Sequence, residues 1–160
     1  MHQIRPLAIC VFQRNNHILV AEGHDPVKNQ QFYRPLGGGI EFGERSEDTI
    51  RRELKEEIDA DIAELYYVGT LENIFTFNGI PGHEIVMVYD GTLIESRLYE
   101  QTLIVGKEVD IDQAFNIVWK SLAEFESGAS ILYPTGLVEL LRDNKSFRNT
   151  FEVLHTPPRD

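Results

Sequence analysis

The longest helical period in the chain runs from Ser46 to Asp59, and segments that read as strand flank it on both sides. At about 100° per residue, Ile50, Leu54 and Ile58 fall in one arc. An apolar stripe on a helix must be covered, and the flanking segments predict a sheet beneath it. Upstream, LAICVF, the pair Asn15-Asn16 and HILVAE predict a strand, a tight turn and a second strand. A polar loop, GHDPVKNQQ, then leads to FYRPLGGG, where aromatics precede a glycine cluster. Ser46 is the expected N-cap, and Glu47 and Asp48 suit the positive end of the helix. Downstream, ELYYVGTLENIFTF and HEIVMVYDGTLI enclose Asn78-Gly79 and Pro81-Gly82 and predict a long hairpin. Residues 95–112 are acidic and weakly patterned, and are expected to form a loop. FNIVWK predicts another strand, SLAEFES a short helix, and PTGLVELLRD, with Pro134 at its first turn, a second helix. Strands on both sides of a helix, with more helix near the end, predict an α/β layered domain.

The 160 residues suit a single domain over 1–143, with a polar tail, 144–160, expected to be partly disordered. At 42% hydrophobic and 26% charged, the chain can bury a real core. Twenty-six acidic residues against fifteen basic ones set its net charge at -11. Such a surface repels long nucleic acids, because that binding depends on Lys and Arg displacing counterions. An anionic small molecule remains admissible where a metal ion or local basic residues reverse the field. The single cysteine, Cys10, excludes an intrachain disulfide and, within LAICVF, is expected to be a small core residue. The N-terminal apolar run is too short for a signal peptide's core and no segment approaches a membrane span, so a cytoplasmic protein is expected. A homodimer is left open.

The other face of the helix carries Glu53, Glu56 and Glu57 in an arc beside the apolar stripe. Like charges at i,i+4, such as Glu53 and Glu57, cost roughly a few tenths of a kcal/mol per pair; Arg52 and Glu56, of opposite sign, offset part of that. Alone, three glutamates read as a solvated face. The residues leading into them change that reading. Gly38, Glu44, Arg52, Glu53, Leu54, Glu56 and Glu57 fit the spacing G-x5-E-x7-R-E-U-x-E-E, where U is aliphatic. At ordinary residue frequencies, a chance match in a chain of this length is on the order of one in 10⁵ or rarer.

This spacing resembles the Nudix box, and the strand order around it is similar to that of Nudix hydrolases. The resemblance implies an α/β/α sandwich on a mixed β-sheet, with the box as a loop-helix-loop. It also implies hydrolysis of a nucleoside diphosphate linked to another moiety, with Mg²⁺ or Mn²⁺ as cofactor. The residue chemistry agrees, since hard divalent cations prefer carboxylate oxygens and can bind through a few of them plus substrate phosphates. By resemblance, Glu53 and Glu57 are the firmest metal ligands, Glu56 follows, and Glu44 either joins them or holds the loop through hydrogen bonds. Arg52 matches the motif residue expected to orient a catalytic glutamate, because a guanidinium grips a carboxylate in bidentate fashion. Gly37, Gly38 and Gly39 let the backbone approach phosphate or metal, and Arg34 either reaches a phosphate or stays solvated.

Two positions depart from the family pattern. Asp59 stands where glycine is expected and Ala60 where an aliphatic residue is expected, which bears on the helix exit. Pro35 lies one residue earlier than the proline that commonly precedes the glycine pair. The general base is open among Glu53, Glu57 and an acid of the 95–112 segment: Glu95, Glu100 or Glu108. His83-Glu84 lacks the second histidine of a zinc helix and reads as strand, so it carries no metal. Tyr33, Phe75 and Phe77 are expected to pack in the core or hairpin rather than stack on a base. Two other functions are weighed: a catalytically silent nucleotide sensor, and removal of the 5′-terminal pyrophosphate or cap from RNA, which the acidic balance disfavours.

Overall fold

The computed structural model describes residues 2–109 and 111–144. Seven strands and three short-to-medium helices follow in the order β1 (Ile4–Arg14), β2 (His17–Asp25), β3 (Gln30–Gly39), α1 (Ser46–Ile58), β4 (Ile62–Phe77), β5 (Ile80–Leu93), α2 (Arg97–Glu100), β6 (Leu103–Glu108), β7 (Gln113–Ser121) and α3 (Leu122–Glu126). Residues 137–144 are also helical. The sheet runs β4-β5-β1-β3-β2-β7-β6. The β1–β5 pair is parallel and the other pairs are antiparallel, so the sheet is mixed.

LAICVF carries no apolar-polar alternation because β1 is buried on both faces. Ala8, Cys10 and Phe12 join the cluster beneath Ile50 and Leu54 of α1. Leu7, Ile9 and Val11 join a second cluster with Leu122 and Phe125 of α3 and with Leu137 and Leu141. Helices therefore cover the two faces of one sheet, giving the expected α/β/α sandwich. Cys10 is the expected core residue, fully buried, and that burial pushes its thiol well above the usual range. Among the described residues, no helix is long and apolar enough to cross a membrane.

The turns behave as their residues dictate. Asn15 and Asn16 take φ of 50° and 61°, and Asn78 and Gly79 take 52° and 76°; paired left-handed residues of this kind match the twist of a tight hairpin. Four expectations need correction. The GHDPVKNQQ loop is only residues 26–29, because Asp25 accepts from the N–H groups of Val27 and Lys28 and closes the turn itself. Pro81-Gly82 is not turn but strand. Pro81 pairs with Thr76 and lies just before His83, near where pairing with β1 begins, so its missing N–H is tolerated. Residues 95–112 hold α2 and β6; β6 is an edge strand whose inward positions, Ile104 and Gly106, make a weak pattern. Ser46 is the first residue of α1, not its cap: Arg45 holds the N-cap position, and Ser46 Oγ lies 2.6 Å from Tyr89 Oη. The expected tail falls, beyond residue 144, outside the described residues.

Candidate active site

The loop between β3 and α1 is closed by one guanidinium. Arg52 donates from Nε to Glu44 Oε2 at 2.8 Å and from Nη2 to Glu44 Oε1 at 2.9 Å, a bidentate pair. The same side chain donates from Nη1 to Glu53 Oε1 at 2.9 Å and from Nη2 to the Gly39 carbonyl at 3.2 Å. Glu44 also accepts from Thr49 Oγ1 at 2.6 Å and from the Glu41 N–H at 3.3 Å. Hydrogen bonds from Arg52 and then Thr49 hold the Glu44 carboxyl down at about 2. Glu44 thus makes the loop-holding hydrogen bonds that one of its two expected roles calls for. Arg52 grips Glu44 with two bonds and Glu53 with one. Thr49, fully buried, was not singled out from sequence; its position five residues after Glu44 is the only signal that could have found it.

Glu53 and Glu57 stand one turn apart on α1, close enough for each carboxyl to perturb the other. Glu57 is buried, and burial, reinforced by Glu53 and Glu108, pushes its carboxyl up to about 9. Burial also raises Glu53, opposed by Arg52. Glu56 is more exposed and reaches Arg52 Nη1 only at 3.4 Å. The glycines explain how the acids come so close to the sheet. A Cβ on Gly38 would stand 2.4 Å from the Glu53 carboxyl carbon, and one on Gly37, at φ 153°, would stand 2.0 Å from the Ala8 carbonyl oxygen. Gly39 is less constrained.

Glu57 opens onto a cavity of about 440 Å³. Arg34, exposed on β3, lines it and lowers Glu57 through its charge. Of the loop acids left open as base, Glu108 lines the same cavity. Glu95 accepts instead from the Asp61 N–H at 3.2 Å, and Glu100 sits exposed on α2. Tyr33 is a core residue, edge-on to Phe125 as expected. Phe75 packs over its hairpin partner Gly82 and Phe77 against Phe32, as the packing expectation has it, and both also line the cavity, together with Phe32 and Tyr133, which sequence reading missed.

Among the described residues, no group of three or more His, Cys, Asp or Glu side chains is placed to hold a metal ion. Of the four expected ligands, Glu44 bonds Arg52 and Thr49, and Glu56 meets the same Arg52 guanidinium at 3.4 Å. Glu53 and Glu57 still fit a hard divalent cation. They are adjacent oxygen donors whose carboxyls are both pushed up by burial, and Mg²⁺ needs only one or two carboxylates, keeping its other places for water and phosphate.

The chain matches the NUDIX domain family over residues 1–136. It belongs to the Nudix hydrolase family. The Nudix fold is also seen in solved structures. A NUDIX hydrolase from Nitrosomonas europaea is 14% identical, with 90% of each chain covered and a TM-score of 0.63. A MutT NUDIX hydrolase from Burkholderia pseudomallei is 19% identical, covering 76% of this chain and 86% of its own, at a TM-score of 0.56. An ADP compounds hydrolase is 15% identical, covering 89% and 73%, at 0.57. At such identities these likenesses bear on fold alone. In this Nudix chain Asp59 takes φ 52°, the left-handed conformation the family's glycine would supply, and Ala60 is buried.

Proposed function

We propose that this hydrolase cleaves a nucleoside diphosphate linked to another moiety, by attack of water on phosphorus with the aid of Mg²⁺ or Mn²⁺. The observation that carries this reading is the Glu53–Glu57 pair: Glu53 packs against Gly38 at the end of the glycine strand, and the buried Glu57 opens onto a cavity of nucleotide size. Glu53 and Glu57 would hold the cation, which when bound lowers the pKa of water and screens the diphosphate. Arg52 keeps Glu53 in place while anchoring the loop through Glu44. Arg34, on the cavity wall, would meet a phosphate oxygen, and Glu53, Glu57 or Glu108 would accept a proton from the attacking water. The products would be a nucleoside monophosphate and a phosphorylated fragment.

The test is a panel of nucleoside diphosphate derivatives, ADP-linked compounds included, with Mg²⁺ and Mn²⁺ and identification of products. Glu53→Gln and Glu57→Gln are expected to abolish turnover without changing the circular dichroism spectrum, and chelation of the metal should stop the wild type. An undiminished rate in either variant would sink the reading.

A further inference from the structure

Besides Glu57, the cavity is lined by three buried polar side chains that the hydrolytic step does not use: Asp25, which is taken up by backbone N–H groups, and the pair Asn73 and Glu84. Asn73 of β4 and Glu84 of β5 are register partners, 4% and 7% exposed. Thr135 N–H donates to Asn73 Oδ1 at 3.4 Å, which turns the amide nitrogen toward Glu84, and Asn73 Nδ2 donates to Glu84 Oε1 at 3.3 Å. Arg5 is the register partner of Glu84 on β1, yet no Lys or Arg among the described residues forms an ion pair with Glu84. Glu84 lines the cavity, which gives a ligand there access to its carboxylate.

The walls beside this pair are flat. Phe32 packs edge-on against Phe77 at 5.9 Å and against Tyr133 at 5.4 Å, and the Phe75 ring covers Gly82 so closely that a Cβ there would stand 2.3 Å from it. A cavity lined by aromatic rings and by a carboxylate acceptor suits a planar heterocycle. A carboxylate only accepts hydrogen bonds, whereas an amide nitrogen brings two donor hydrogens, of which Asn73 commits one to Glu84. Guanine presents a ring N–H beside an amino group, two adjacent donors, with a carbonyl next to them. Adenine presents an acceptor ring nitrogen beside its amino group, and that lone pair would face the second Glu84 oxygen.

We infer that Glu84, oriented by Asn73, reads the base of the substrate and selects a guanine-type donor–donor edge over the adenine edge. This rests on the nucleotide reading above and names the base that reading leaves open.

Binding of guanosine, inosine and adenosine 5′-monophosphates to the full chain, by titration calorimetry in Mg²⁺, tests it with ligands that have no anhydride to cleave. Guanosine monophosphate is expected to bind about tenfold or more tightly than adenosine monophosphate, with the inosine form between them because it lacks the amino group. The near-isosteric Glu84→Gln should weaken guanosine monophosphate about tenfold and leave adenosine monophosphate within about threefold. The wild-type comparison stands even if the variant does not fold. Equal affinities, a preference for adenine, no binding of guanosine monophosphate, or a Glu84→Gln loss uniform across the three overturns the proposal; a uniform loss would put the carboxylate on the shared ribose or in the fold. Guanine preference without turnover of any substrate would remove the hydrolytic reading and keep this one, and turnover with adenine preferred would do the reverse.

Discussion

Glu57 is held where a carboxylate is least comfortable, buried and beside Glu53, with its carboxyl pushed from 4.5 up to about 9. The folded chain therefore keeps a proton there that the unfolded chain has already released. A group raised in this way contributes stability that is complete below 4.5 and is lost as pH rises toward about 9. Glu44 works in the opposite direction, contributing above 4.5 and losing its contribution as pH falls toward about 2. In chelator, the melting temperature is expected to decline from pH 5 toward pH 9. Glu57→Gln, which carries no titrating proton, should flatten that decline, and Mg²⁺ should raise the wild-type melting temperature most at the alkaline end. Melting curves across pH with and without chelator measure this; an equally steep decline in Glu57→Gln would refute it. The acids themselves were legible because one rigid helix fixes their spacing. Their commitments were not, since Arg52 reaches Glu44 back across the loop, and Asn73 meets Glu84 only because a hairpin sets its register.

At the scale of elements, the exit of α1 is the most exacting joint. Asp59 N–H donates to Lys55 O at 3.0 Å as the last ordinary helical bond, and Ala60 N–H donates to Leu54 O at 3.3 Å, a bond that requires the left-handed turn at Asp59. Asp tolerates that conformation far better than a β-branched residue does. Asp59→Val is expected to lower stability by about 1–2 kcal/mol in urea titrations, whereas Asp59→Gly should stay within about 0.5 kcal/mol of wild type. The Lys55–Asp59 ion pair, exposed on both sides, contributes little to that balance. If Asp59→Val proved as stable as Asp59→Gly, the backbone at this joint would not be what the residue is needed for. Most elements could be read from residues because their signals are local: paired asparagines for the first turn, Asn-Gly for the long hairpin, an apolar stripe for α1. The edge strand β6 was lost because its identity comes from pairing with β7, which no pattern in LIVGKE announces.

Across the whole molecule, the cavity depends on a closure between distant parts of the chain. Asp25, 1% exposed at the end of β2, accepts from Val27 and Lys28 in its own turn and from the Asn78 N–H at the tip of the β4–β5 hairpin. Lys28 Nζ adds a bond of 2.7 Å to the Thr76 carbonyl. These bonds tie the tip of the long hairpin to the β2–β3 turn, and Phe77, Phe32 and Lys28 all line the cavity beside that tie. The acids and glycines proposed to hold the cation and the scissile group lie instead on α1 and the glycine end of β3, and none of them bonds into the tie. Asp25→Ala strips three N–H groups of their acceptor and frees the tip, so the binding wall should loosen while the reacting centre keeps its geometry. The expected result is a KM raised about tenfold with kcat held within about threefold, and a lower melting temperature. Steady-state kinetics on any substrate found in the panel read both quantities. A kcat loss equal to the loss in kcat/KM would place the tie in transition-state binding, and an unchanged KM would separate the aromatic wall from substrate altogether.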